Sequence, residues 1–213
     1  MHNEGMKVFV RVRPPISREV EYPTAVTVLG GHNIHIRTEK VQASCSYDNV
    51  FDEISDQTSV FERIKPLLSD VLAGYNACLF AYGQTSAGKS YTIIGPNGGQ
   101  DILHQPRDTW GILPRAAEYL FGELADKAEE GLITYHVKAS FLQLYNENLY
   151  DLLQSGGPRI DANDSNQWGD KDAGLKIREI PTPNNNRTFG DASGKRSGAL
   201  TSEVYVAGLS EFR

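Results

Sequence analysis

Gly83-Gln84-Thr85-Ser86-Ala87-Gly88-Lys89-Ser90 reads G-x-x-x-x-G-K-S and follows an apolar run, Ala77-Cys78-Leu79-Phe80-Ala81. This order predicts a buried strand that enters a phosphate-binding loop, with a helix from Ser90 to Ile94 after it. The glycines let the backbone curl until its N–H groups converge on phosphate oxygens, and the following helix turns its positive end toward the same anion. Lys89 is then placed to reach β- and γ-phosphates, and the Ser90 hydroxyl to bind Mg²⁺. A tight strand-to-helix turn alone would account for Gly83 and Gly88, but it would leave Lys89 and Ser90 unexplained. Nucleotide binding is therefore the expectation.

The rest of the composition sets limits on that expectation. The 213 residues carry 21 Lys and Arg against 27 Asp and Glu, a net charge of -6. That balance argues against a basic nucleic-acid-binding surface. No apolar stretch exceeds strand length, and the start, Met1 to Lys7, lacks the apolar core of a signal peptide. No membrane span is expected, and the expected location is cytoplasmic. Cys45 and Cys78 fit neither a disulfide framework nor a zinc pattern and read as packing residues.

Outward from the loop, Lys7 to Val12 alternates as a first strand that Pro14-Pro15 stops. Gly30-Gly31-His32 lies between two alternating runs and predicts a hairpin, on which His32 and His35 read as solvated residues rather than metal ligands. Ser46 to Phe51 is a short strand. Ser59-Val60-Phe61-Glu62 has capping-box spacing, and the helix after it runs through Pro66 to a cap at Gly74. Beyond the phosphate loop, Gly95 to Gly99 breaks the chain into a polar loop that lasts to Trp110. Pro114 stands in the first turn of a second helix with the apolar stripe Leu113, Ala117, Leu120, Phe121, Leu124 and Ala128. Thr134 to Leu144 predicts a long strand, and Tyr145 to Leu153 a short amphipathic element. From 155 to 201 the composition turns polar and glycine-rich around a single strand at Leu175 to Ile180, and Val204 to Val206 is a last short strand.

Read together, these segments resemble the front part of a kinesin motor domain. The phosphate loop is similar to that family's G-Q-T-x-x-G-K-T, with Gly74-Tyr75-Asn76 and Phe80-Ala81-Tyr82 ahead of it. Arg11-Val12-Arg13-Pro14 resembles its R-x-R-P, Val50-Phe51-Asp52 its strand before helix one, and Gly111 to Arg115 its G-(I/L)-I-P-R. Phe141 to Glu147 with Tyr150 to Leu153 resembles its Y-N-E and D-L-L segments, and Val206 to Leu209 its V-x-G-L. The resemblance implies an α/β fold of the P-loop NTPase type, a central mixed sheet with helices on both faces, cut short on its C-terminal side. Residues 1–213 are then a partial motor domain, with 155–201 a loop-rich insertion region inside it.

The same resemblance implies ATP and Mg²⁺ as ligands. The phosphates fall to Gly83, Gln84, Thr85, Ser86, Ala87, Gly88, Lys89 and Ser90, with Ser90 on the metal. The adenine falls to Arg11, Pro14, Phe61 and Tyr91, where an aromatic or guanidinium plane can stack on the base. Phe61 reads equally well as core, and Arg11 as an exposed strand residue. The family's N-x-x-S-S-R-S-H and D-x-x-G-S-E switches do not occur in these residues. Phosphoryl transfer needs groups that hold the metal, the attacking water and the developing charge. The parent protein is thus expected to be an ATPase that moves on microtubules of the cytoskeleton, with tubulin contacts in the missing C-terminal part of the domain. These residues by themselves are expected only to bind ATP, and Lys89 is their sole catalytic candidate. The alternative is a truncated or degenerate module that binds nucleotide or partner proteins without hydrolysis. A sheet lacking later strands would also expose edges and an apolar face.

Overall fold

The computed structural model describes residues 5–153, 176–181 and 202–207. The chain divides into two compact units, Met1–Ile133 and Thr134–Arg213.

In the first unit β1 (Phe9–Arg11) pairs in parallel with β5 (Asn49–Phe51), Val10 opposite Val50. Phe9 meets Phe51 edge-on, with ring centroids 6.2 Å apart. The inward face of β1 is therefore the Phe9 and Arg11 face. The glycine-turn hairpin forms as expected from β2 (Val26–Leu29) and β3 (Asn33–Arg37), and β4 (Gln42–Ser46) adds a third antiparallel strand. Alternation decides the faces of this small sheet: Ile34 is buried, whereas His35 and Arg37 are exposed. The single strand predicted over Ser46 to Phe51 is two, split at Tyr47-Asp48, with Gln42 to Cys45 added ahead of the break.

Helix α1 (Gln57–Leu72) starts two residues before the predicted box. Asp56 is its N-cap and accepts from the Ser59 N–H at 2.7 Å. Ser59 therefore receives the cap rather than providing it. At the other end Tyr75 N–H donates to Asp70 O and Gly74 N–H to Val71 O, closing the helix as predicted. Val60, Phe61, Ile64 and Leu68 recur at helical spacing and join Phe51 and Ile112 in the core. Helix α3 (Ile112–Glu129) packs on this cluster through Ile112, Ala116, Tyr119 and Leu120, while Leu113 and Phe121 of the predicted stripe stay exposed. The stripe is rotated because the helix begins at Ile112, whose burial fixes the phase. Between them lie the five-residue α2 (Lys89–Ile93) and three short 3₁₀ turns, Pro96–Gly99, Ile102–His104 and Arg107–Thr109.

One expectation fails in this unit. Ala77 to Ala81 carries no strand ladder and is exposed, with Phe80 at 70% and the following Tyr82 at 95% of full exposure. A central strand is defined by neighbours on both sides, and the described residues supply none for it. Cys78 is exposed for the same reason, so it is not the buried packing residue its strand implied.

In the second unit the long strand predicted from Thr134 shortens to β6 (Leu142–Tyr145), which forms a hairpin with β7 (Asn148–Asp151). Asn146 and Glu147 both take positive φ, 48° and 64°, and make the tight turn that replaces the predicted amphipathic element. β8 (Lys176–Pro181) pairs antiparallel with β9 (Ser202–Ala207), matching the two short strands expected there. The remainder of the 155–201 insertion and the segment after Ala207 lie outside the described residues. Among the described residues parallel and antiparallel pairings both occur, in one three-stranded sheet and three pairs. No helix among the described residues is long and apolar enough to cross a membrane.

Candidate functional site

The loop Gly83 to Gly88 closes on itself. Ala87 N–H donates to Gln84 O at 3.2 Å, and Gly88, the N-cap of α2, takes φ 94°, a conformation that suits a residue without Cβ. Lys89 curls back over the loop, its Nζ 2.7 Å from both Gly83 O and Gln84 O. Its ammonium thus lies at the mouth of the loop. Gln84, Thr85, Ser86 and Ser90 are exposed there, while Gly83, Ala87, Gly88 and Lys89 are half-buried.

Arg11 comes to this site from β1. Its Nη1 donates to Gln57 Oε1 at 2.7 Å and to Thr92 Oγ1 at 3.0 Å, and its Nη2 to Ser55 O at 3.2 Å. The guanidinium lies 5.4 Å from the centre of the Tyr91 ring. Burial lowers the Arg11 pKa, with the charges of Tyr91 and Asp56 acting the other way. Gln57 extends the network by donating to Tyr91 O at 2.7 Å and Thr109 O at 3.3 Å. One arginine and one glutamine therefore tie β1, α1, α2 and the last 3₁₀ turn together. Gly111 closes the back of the site, since a Cβ there would stand 2.6 Å from the Ile93 and Ile94 backbone.

Arg13, two residues on, donates from Nε to Ser86 O at 2.9 Å and grips Glu19 with both terminal nitrogens, at 2.7 and 2.8 Å. That hydrogen bond raises the Arg13 pKa and, with a backbone bond from Ile16, holds the Glu19 carboxyl down to about 2. Pro14 is exposed beside it, its carbonyl accepting from Arg13 Nη1 at 2.9 Å.

Of the residues expected to meet a base, the fold brings Arg11 and Tyr91 together, with Tyr91 45% exposed. Phe61 goes elsewhere. It is 7% exposed and packed in the core, so of its two readings the structure supports packing. Gln57, Thr92, Glu19 and the loop-binding role of Arg13 were not legible beforehand; only Arg13 stood in a motif. No group of three or more His, Cys, Asp or Glu among the described residues is placed to hold a metal.

An α/β fold with a G-x-x-x-x-G-K-S loop leading into a helix defines a P-loop protein of the NTPase type. Comparison with known proteins narrows the class: the kinesin motor domain family matches residues 11–188. The chain belongs to that family. Human kinesin-like protein KIF15 is 37% identical over 163 residues, covering 72% of this chain and 12% of the relative. Protein claret segregational of Drosophila melanogaster is 36% identical over 159 residues, covering 71% of this chain and 21% of the relative. The chain thus spans roughly a tenth to a fifth of the curated relatives it matches. A solved structure of a fast kinesin, described with its ATPase mechanism and microtubule interactions, superposes with a TM-score of 0.72 at 31% identity. It matches 97% of this chain and 48% of that one.

Proposed function

We propose that these residues are the nucleotide-holding part of a microtubule motor that couples ATP hydrolysis to movement along the cytoskeleton, and that by themselves they bind Mg-ATP without hydrolysing it. The observation that carries this reading is the position of Lys89, whose ammonium sits in the curl of its own loop, 2.7 Å from two loop carbonyls. A phosphate chain at that mouth exchanges two neutral acceptors for charged ones, and charge-assisted hydrogen bonds are the stronger kind.

The donor set fits the ligand. Gly83 to Ser90 offers backbone N–H groups, the Lys89 cation and the Ser90 hydroxyl for Mg²⁺, which keeps most of its water and takes few protein ligands. Arg11 and Tyr91 form one wall for the adenine, and Pro14 lies on the same R-x-R-P segment. Phe61 lies in the core cluster and is not counted in that wall. Mg²⁺ held at the Ser90 hydroxyl would supply neutralising charge to the phosphates. The chain's residues bind and orient; the switch residues that would position water are not among the 213. Tubulin contacts and motility belong to the whole motor, and a location in the cytoplasm on microtubules follows from that role.

The test is titration of a fluorescent Mg-ATP analogue into the 213-residue chain, with Lys89→Ala as the control. Saturable binding that Lys89→Ala weakens by about ten- to a hundredfold is expected, the worth of hydrogen bonds to charged groups. Turnover stimulated by microtubules is expected only from a longer chain that carries both switch motifs. Equal binding by wild type and Lys89→Ala would place nucleotide binding away from Lys89, and no binding by either would support a module that does not use nucleotide.

A further inference from the structure

We infer that Arg13 and Glu19 form a clamp that sets the shape of the phosphate loop, which makes Glu19 a positioning residue for the nucleotide. The inference rests on the reading of Gly83 to Ser90 as the phosphate site. Its starting point is Ser86, which holds φ at 67° with a side chain present. That conformation is uncommon outside glycine and persists where the surroundings impose it. Arg13, 73 residues away in sequence, supplies such a constraint by donating from Nε to the Ser86 carbonyl at 2.9 Å. Across a trans peptide the carbonyl of one residue and the N–H of the next point to opposite sides. Fixing Ser86 O therefore fixes the Ala87 N–H, which donates to Gln84 O and closes the loop.

Glu19 decides where the guanidinium lies. Its carboxylate accepts both terminal nitrogens of Arg13 and also the Ile16 N–H at 3.2 Å, while its own N–H donates to Ile16 O at 2.7 Å. The acid is thus anchored in its own turn and aims the arginine. With Nη1 shared between Glu19 and Pro14 O, Nη2 on Glu19 and Nε on Ser86, four of the five guanidinium N–H groups have protein acceptors. The Arg13 charge is matched by Glu19, and its task is geometric. An ordinary surface ion pair would be worth little, and these side chains are 28% and 36% exposed. What separates this pair from an ordinary one is its third arm, which ends on the loop.

The experiment uses the full chain and two readouts. Amide exchange at Ala87 is followed without nucleotide, and affinity for the fluorescent Mg-ATP analogue is measured in parallel. Glu19→Gln keeps the shape and removes the charge. It is expected to speed exchange at Ala87 and weaken the analogue by about three- to tenfold, the scale of one charge-assisted hydrogen bond, at an unchanged melting midpoint. In an Arg13→Ala background the same substitution should add nothing, because Glu19 acts through Arg13. Glu21→Gln, a nearby acid outside the clamp, should move neither readout. Unchanged exchange at Ala87 in Glu19→Gln, or equal effects with and without Arg13, would overturn the clamp. Failure of the wild-type chain to bind the analogue would sink the site reading instead, and exchange at Ala87 would still decide the clamp.

Discussion

The loop from Gly83 to Ser90 and the segment that leads into it, Ala77 to Tyr82, are adjacent in sequence and held in opposite ways. The loop is gripped by side chains: Lys89 from within, Arg13 from the end of β1, and through Tyr91 and Thr92 the Arg11 and Gln57 network. The lead-in is as apolar as a core strand, yet it has no ladder and leaves Phe80 and Tyr82 in solvent. Shape in the first region comes from a few directed bonds that these residues contain. In the second no pairing strand is present among the described residues, so hydrophobicity alone did not order it. Side-chain bonds fix a short loop with few partners, whereas a strand needs a neighbour along its whole length.

Two phenylalanines test that contrast most strongly. Phe61→Ala removes a buried ring and is expected to destabilise the first unit by about 3–5 kcal/mol in chemical denaturation. Phe80→Ala, at a ring already in solvent, should change stability by less than about 0.5 kcal/mol in the same chain. A large effect of Phe80→Ala here would break the comparison. A large effect only in a longer chain of the family would sharpen it, by showing that added pairing orders the lead-in.

A smaller effect is expected behind the site. Gly111→Ala places a Cβ 2.6 Å from the backbone of Ile93 and Ile94. Backbone yields less readily than a side chain, so a loss of about 1–3 kcal/mol is expected, with weaker nucleotide binding because α2 must move. Loss of stability with unchanged affinity would show that the loop is insulated from the end of α2.

The smallest effect concerns the cap of α1. Asp56→Ala leaves the Ser59 N–H without its acceptor and is expected to cost about 1 kcal/mol. Hydrogen bonds from the Ser59 side chain and backbone hold the Asp56 pKa below its ordinary 3.8. A depressed carboxylate stabilises the fold above its unfolded pKa and loses that contribution as pH falls through the folded one. Wild type and variant should therefore differ at neutral pH and converge below about pH 3.8, as denaturation midpoints across an acid series would show. A gap that persists in acid would mean the neutral carboxyl caps equally well.

Much of the fold was readable from local pattern. The turn into α2 at Gly83 to Gly88, the hairpin at Gly30-Gly31, the closing of α1 at Gly74 and the strands at 176–181 and 202–207 each rest on residues a few positions apart. The errors fell where neighbours in space decide. Ala77 to Ala81 has strand composition without a partner, and α3 took its phase from the burial of Ile112. Asp56 displaced Ser59 as the cap because only the backbone geometry distinguishes two nearby oxygen-bearing candidates.

The site divides along the same line. Sequence by itself determined, through Gly83 to Ser90 and its flanks, that the chain is of the kinesin motor domain family, because a motif is carried by consecutive residues. Tertiary structure alone decided that Arg11 reaches Thr92 across 81 positions and that Arg13 reaches Ser86 across 73. It also decided that Phe61 belongs to the core and that Glu19 aims an arginine at the loop. Such pairings have no period and no fixed spacing; they exist only once β1, α1 and α2 have packed around a common core and brought their side chains within hydrogen-bond reach.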